Sequence, residues 1–510
     1  GAGGAAVLAL GAVAGFLVIR AEAGRELDAV VGEQLRAATG AREAARQIAQ
    51  QRDAARARAF ELFGAHRWSE GEDAWSAMEA MAAEEERQYR LASGHLESAL
   101  RLDPGRDGLH DRFADLTFER LLRAERDRDR HLADELAGRL AAHDSGRHGA
   151  KLAAAARVEL DIAPAGTQVW TERPGAPRQL VGVAPLAALL LPPGSATFAL
   201  EAPGHVPARL PVLLAREETL RLAVVLPPAA AAPPGMIYVP PGRFLFGSAD
   251  GTDLRRGFLN AAPLHEVWTD GYFIGRTEVT FGEWIEFLDD LPPDERRRRT
   301  PGSVSPQTAL TLTELGPRQW RLDLRPTTRT YTAELGQRLR YEGRARRAEQ
   351  DWTRFPVASV SYEDAIAYAA WLDRTRRIPG ARLCNEHEWE RAARGADGRS
   401  FPSGEALAPG AANIDTTYGR HPLAFGPDEV GSHPGSRSPV GADDMAGNVW
   451  EWARSVEVPD APVAPVARGG SWYLGALAAR STNREYVEPT TRHPLIGVRL
   501  CITPHESIPH

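Results

Sequence analysis

The densest group of chemically usable residues in this 510-residue chain is Asp443-Asp444-Met445-Ala446-Gly447-Asn448-Val449-Trp450-Glu451-Trp452, followed by Arg468-Gly469-Gly470-Ser471-Trp472. Carboxylates at close spacing, interrupted by a Gly-Asn step that permits tight or left-handed backbone, offer side-chain and carbonyl oxygens to a hard cation such as calcium. The indoles supply rigid apolar surface that can lock a loop of little regular structure. Thiol and soft-metal chemistry has less to draw on. The two cysteines, Cys384 and Cys501, sit among apolar neighbours. They read as two buried, unpaired small hydrophobes, with a single disulfide as the alternative. His66, His95, His110, His131, His143 and His148 precede residue 150, and of these His131 stands four residues before Glu135. That pair is a common surface spacing and falls short of the two-histidine, one-carboxylate set of a non-heme iron site. Ser471, His493 and Asp444 can be drawn as a hydrolase triad, but no strand–turn–helix motif frames Ser471.

The elements that must position these groups follow from composition and period. The length corresponds to roughly three to four domains. With 43% hydrophobic and 25% charged residues, the composition is that of folded protein, and a net charge of -7 argues against a nucleic-acid surface. Residues 1–19 carry no charge, and about nineteen helical residues span a bilayer core of roughly 30 Å. Arg20, Glu22, Arg25 and Glu26 follow at once. This reads as a transmembrane helix in a chain whose own N-terminus lies further upstream, since no Met and no basic segment precede it.

Residues 20–150 repeat apolar positions at three- and four-residue steps, as in Leu27, Val30, Val31 and Leu35, and predict a helical stalk. Gly40, Gly64-Ala65-His66 and Asp103-Pro104-Gly105 are its expected breaks. The run Ala99-Leu100-Arg101-Leu102-Asp103-Pro104 is similar to the end of a tetratricopeptide-type helix pair. Between residues 156 and 228 the period becomes two, as in Val158-Glu159-Leu160-Asp161-Ile162 and Leu220-Arg221-Leu222-Ala223-Val224. The segment from Leu191-Pro192-Pro193-Gly194 to Ala202-Pro203-Gly204-His205 resembles the PEGA module, which implies a small all-β sandwich acting as spacer or binding module. Residues 229–235, which overlap the Pro227–Pro234 run, then read as a stiff linker.

From residue 236 to 505 five further segments carry a resemblance. They are Met236-Ile237-Tyr238-Val239-Pro240-Pro241-Gly242-Arg243-Phe244; Tyr272-Phe273-Ile274-Gly275-Arg276-Thr277-Glu278-Val279-Thr280; Phe355-Pro356-Val357 through Ser361-Tyr362-Glu363-Asp364-Ala365; Arg382-Leu383-Cys384-Asn385-Glu386-His387-Glu388-Trp389-Glu390-Arg391; and Gly497-Val498-Arg499-Leu500. With the opening stretch, and in this order, they resemble the formylglycine-generating enzyme family, also called sulfatase-modifying factors. The resemblance implies an α+β, C-type-lectin-like fold rich in loops. Ser361 with Asp364 forms a capping-box variant ahead of a helix that buries Tyr368, Trp371 and Leu372. Residues 290–349, rich in Arg and Thr, have no counterpart in the family pattern. They read as a surface insertion whose Arg296-Arg297-Arg298-Arg299 cluster is solvated.

The resemblance also implies chemistry. A structural calcium ion would take the side chains of Asp444 and Glu451 and the carbonyls of Gly447 and Val449; otherwise Glu451 pairs with a buried arginine such as Arg468. A second calcium site would begin at Asn413 and Ile414, with its acid falling near Pro422. The family's copper-dependent oxidation of a substrate cysteine to formylglycine needs two cysteines after the Gly-Gly-Ser motif. Those positions hold Leu474 and Ala479, neither of which supplies a thiolate, so copper is not expected. The resulting expectation is a bacterial, single-pass membrane protein with its C-terminal domains extracytoplasmic. Its non-catalytic family domain would bind a peptide, glycan or protein, perform no nucleic-acid role, and stand at the C-terminal end of a signalling protein such as a serine/threonine kinase. The copper oxidase acting on sulfatase-type cysteines is the alternative.

Overall fold

The computed structural model describes residues 2–459 and 462–504, with side chains for all of these except residues 2–16 and Arg130. The chain divides into two units, residues 1–154 and 155–510.

The first unit is helical. α1 (Ala2–Gly64) and α2 (Trp68–Leu102) form a hairpin turned at His66, whose φ is 56°. α3 (Leu109–Asp127), α4 (Arg130–His143) and the one-turn α5 (Gly149–Leu152) follow. Asp103-Pro104-Gly105 ends α2 as expected, and Asp129 caps α4 by accepting from Leu132 N at 2.9 Å. Gly40 does not break α1. One interior glycine costs only about 1 kcal/mol in a helix, and Ala38 and Ala45 on either side of it are packed against α2 residues Tyr89, Ala92 and Leu96. The unit also buries charge: Arg52 pairs with Glu85 at 3.1 Å and Asp127 at 2.7 Å, and Arg123 with Glu85 at 3.0 Å. Among the described residues no helix is long and apolar enough to cross a membrane. Most of the 1–19 span assigned above to a membrane helix has side chains outside the described residues.

The second unit begins with seven strands: β1 (Ala156–Ala163), β2 (Gln168–Glu172), β3 (Gln179–Val183), β4 (Leu186–Leu191), β5 (Gly194–Glu201), β6 (Ala208–Leu214) and β7 (Thr219–Val225). They form two sheets, β4-β1-β7 and β3-β2-β5-β6. The alternation read from the sequence puts Val158, Leu160 and Ile162 inside, facing Phe198, Leu200 and Leu210. This β-sandwich is not a free spacer. Its core continues into Tyr238, Phe273 and Ile502 of the C-terminal part. Arg209 Nε donates to Pro439 O at 2.7 Å, and Ser195 Oγ to Asp397 Oδ2 at 2.7 Å. The Pro/Ala run is tied down as well, with Ala229 N bonded to Gly204 O at 2.9 Å.

In the C-terminal part, β8 (Met236–Val239), β9 (Gly242–Phe246), the one-turn α6 (Thr252–Gly257), β10 (His265–Thr269) and β11 (Tyr272–Gly275) lead into α7 (Phe281–Asp290) and α8 (Pro293–Arg299). The next stretch corrects the expectation of a surface insertion. β12 (Gly302–Val304), β13 (Ala309–Gly316), β14 (Gln319–Arg325) and β15 (Tyr331–Glu334) form an antiparallel meander, followed by the short pair β16 (Leu339–Arg340) and β17 (Glu349–Gln350). Leu310, Leu312, Trp320, Leu322 and Leu324 share the main core with Trp284, Trp352 and Trp371. Two of the four consecutive arginines are also tied in: Arg296 bonds Glu314 at 2.6 Å and Arg299 bonds Asp364 at 3.0 Å.

α9 (Tyr362–Arg374), β18 (Ala381–Leu383), α10 (Glu386–Arg394), β19 (Trp450–Arg454), β20 (Pro465–Arg468), β21 (Arg484–Tyr486), β22 (Ile496–Val498) and β23 (Leu500–Ile502) complete two four-stranded sheets, β18-β23-β11-β8 and β21-β20-β19-β22. Capping boxes start α7 at Thr280, α9 at Ser361 and α10 at Asn385. The two cysteines are not unpaired: Cys384 and Cys501 form a disulfide, drawn together because β18 and β23 are antiparallel neighbours.

Candidate functional site

The Asp443–Trp452 stretch is buried from Ala442 onward, and its backbone takes the left-handed turns its residue types allow. Asp444 has φ 57°, Gly447 80° and Asn448 60°. At Gly447 a Cβ would lie 2.3 Å from Asn413 O, so only glycine fits. Asn448 is the hub of the loops around it. Its N–H donates to Asn413 O at 2.8 Å and its Nδ2 to Glu278 Oε1 at 3.2 Å, while its Oδ1 accepts from Asp428 N at 3.0 Å and its carbonyl from Trp472 N at 2.8 Å. Trp452 Nε1 donates to Val360 O at 2.9 Å.

The four residues assigned to calcium do not form a cation site as a set. Glu451 spends both oxygens on Arg499, whose Nη2 and Nε reach it at 2.6 and 2.8 Å, and Oε2 also accepts from Trp389 Nε1 at 2.5 Å. Arg499 and Glu451 are fully buried. A divalent ion on this carboxylate would face a fixed guanidinium at contact distance, so the donor set present does not fit calcium. The positive charge here is Arg499. Arg468, the partner weighed from sequence, lies opposite Glu451 in the β19–β20 ladder, yet its guanidinium goes to Glu390 and to Ser481 O.

Asp444 accepts from Gly431 N and sits near Glu278. Burial raises the Asp444 pKa to about 6 against the pull of that hydrogen bond. Burial and then Asp444 raise Glu278 well above the carboxylate range, with Arg499 opposing. No acid stands at Pro422, and the buried carboxylate in the loop after it is Asp428. Burial works against its ionisation, but Arg344 and His433 hold its pKa below the ordinary value.

The tract that would carry the catalytic thiols is apolar. Gly469 and Gly470 have φ of 97° and 76°, and a Cβ on Gly470 would strike Ala479 Cα at 2.8 Å. Ala479 is sealed among Phe401, Ala412, Ile414 and Ala446. Leu474 is half-buried, and its carbonyl accepts from Asp415 N at 3.0 Å. Beside it a small recess of about 10 Å³ is walled by Asp415, Phe425 and Trp472. Asp415 Oδ1 and Trp472 Nε1, on two residues that line the recess, are buried and find no hydrogen-bond partner among the described residues. Arg420 holds the other Asp415 oxygen at 2.8 Å. Ser471 Oγ is likewise buried without a partner, and no hydrogen bond joins it to His493, so the hydrolase triad is not assembled.

Among the described residues no three His, Cys, Asp or Glu side chains stand close enough to hold a metal ion together. His131 and Glu135 are both exposed on α4. Arg344, Asp415 and Asp428 were missed from the sequence. Arg499 lay within a quoted motif, and a charged residue between Val498 and Leu500 was its available signal.

Comparison with known proteins places this geometry. Residues 223–504 match the sulfatase-modifying factor enzyme 1-like domain. The chain belongs to that family. Hercynine oxygenase of Mycolicibacterium smegmatis is 32% identical over 303 residues, covering 54% of this chain and 63% of the relative. The inactive C-alpha-formylglycine-generating enzyme 2 of Mus musculus is 30% identical over 288 residues, covering 53% of this chain and 86% of the relative. The serine/threonine-protein kinase Pkn1 of Chlamydia trachomatis is 28% identical over 284 residues, covering 52% of this chain and 37% of the kinase. The chain thus spans less than two thirds of the oxygenase and well under half of the kinase.

Proposed function

We propose that this chain is a membrane-anchored, extracytoplasmic sensor or adhesion protein whose family domain binds a peptide, glycan or protein ligand without thiol chemistry. One observation carries the reading: the chain's two cysteines are bonded to each other and buried on the β18–β23 side, while Leu474 and Ala479 occupy the motif-derived thiol positions. A copper-dependent oxidase needs a thiolate, and the sequence contains no third cysteine.

The ligand would enter at the recess beside Trp472, where one buried donor and one buried acceptor lack partners. The disulfide supports an oxidising compartment, and the charge-free run at residues 1–19 supports an anchor. The similarity to a mouse protein named as inactive and to a chlamydial kinase supports a non-catalytic domain linked to signalling. That linkage is a family analogy. Protease added outside intact cells is expected to reach the chain from Arg20 onward, and full protection would reverse the orientation. Formylglycine formed on a cysteine peptide by the purified chain with copper would replace this reading with the oxidase.

A further inference from the structure

Arg344 lies between β16 and β17. Its side chain is fully buried. It drives its guanidinium into the loop at residues 424–428: Nε donates to Ala424 O at 2.6 Å, Nη2 to Gly426 O at 2.8 Å and Nη1 to Asp428 Oδ1 at 2.5 Å. Tyr341 and Tyr418 face it with ring centroids 3.6 and 4.0 Å from Cζ. The second Asp428 oxygen accepts from His433 Nε2 and from the Tyr418 hydroxyl, both at 2.6 Å, and Gln350 Nε2 donates to Oδ1 at 2.8 Å. Two carbonyls and a carboxylate converging on one buried positive charge make an all-oxygen donor set of the kind a hard cation takes. Ala424 and Gly426 also line the recess beside Trp472, so whatever fills this cage sets the recess wall.

We propose that Arg344 is a built-in cation, filling from within the chain an oxygen cage of Ala424, Gly426 and Asp428 that would otherwise accept calcium, and thereby fixing the recess wall without metal. The guanidinium and a divalent ion exclude each other: the cage is occupied to within hydrogen-bond distance on three sides, and the tyrosine faces close the rest. Arg499 on Glu451 is a separate buried guanidinium–carboxylate pair, at a residue to which the family resemblance assigned calcium.

The test is cation rescue, read by thermal melting of the full chain. Wild type is expected to melt at one temperature in millimolar calcium and in chelator. Arg344→Ala should melt on the order of 5–10 °C lower, since it removes the arginine counter-charge of buried Asp428 and the donors to two buried carbonyls. Millimolar calcium or low-millimolar guanidinium should recover most of that loss, with magnesium less effective because it demands a tighter octahedral shell. Arg344→Lys keeps a charge without the planar fork and should melt between the two. It serves in place of Arg344→Ala where the alanine variant does not fold, with guanidinium again raising its melting temperature. Wild type that melts higher in calcium than in chelator would overturn the proposal. So would an Arg344 variant that neither cation stabilises.

Discussion

Replacing Glu451 by Gln tests most sharply what holds the opening stretch together. In the wild type, Arg499 makes two charge-assisted bonds to Glu451, at 2.6 and 2.8 Å, and two more to the carbonyls of Gly275 and Asp443, at 2.9 and 3.0 Å. Glutamine keeps the shape and one acceptor. It turns an amide N–H₂ toward a guanidinium that has donors only, so one bidentate contact is lost and a repulsive one created. The two carbonyls remain, and Glu278 at 3.8 Å, held well above the carboxylate range in the wild type by burial, Asp444 and Glu451, becomes easier to ionise once the Glu451 charge is gone and so offsets part of the uncompensated charge. Removing one partner of a buried ion pair typically costs about 3–5 kcal/mol. With Glu278 near, the lower half of that range applies, so about 3 kcal/mol is expected. Chemical unfolding followed by near-ultraviolet circular dichroism reads it, because Trp389, Trp450, Trp452 and Trp472 surround the site. The loss should be the same in calcium and in chelator. A change under roughly 1 kcal/mol, or a deficit that calcium restores, would refute the assignment of Arg499 as the counter-charge.

Asp444→Asn should remove a pH-dependent instability. The folded Asp444 pKa is raised to about 6, so the group's contribution is fully present below its unfolded value near 4 and is lost as pH rises through about 6. The variant should therefore gain roughly 2 kcal/mol on wild type at pH 7 and little at pH 4; a melting series across this range checks it, and a destabilised variant at pH 7 would speak against it. Reduction should separately weaken the family domain, since the Cys384–Cys501 bridge closes a loop of sequence separation 117. Loss of about 2–5 kcal/mol is expected, read as a lower unfolding midpoint in reductant, and an unchanged midpoint would contradict a closed bridge.

The helix starts were legible because capping is local: Ser361 and Asp364 stand three residues apart and bond as their types require. The β-sandwich strands were legible from alternation. The same signal is present in Leu310, Leu312, Trp320, Leu322 and Leu324 but is obscured by the Arg and Thr residues that alternate with them. Long-range pairing was hidden. Nothing near Cys384 announces Cys501, and nothing near Glu451 announces that its ladder neighbour Arg468 turns to α10 while Arg499 comes from the strand end. Arg344 was invisible for a further reason. Its partners are mostly backbone carbonyls, and those depend on the loop path rather than on residue type.

The proposed role of this family domain is recognition without oxidation. The direct measurement is mass spectrometry of a sulfatase-type cysteine peptide after incubation with the purified chain, copper and oxygen. An intact cysteine is expected, because Leu474 and Ala479 offer no thiolate and the chain's two sulfurs are bonded to each other. Turnover of that cysteine to an aldehyde would contradict it.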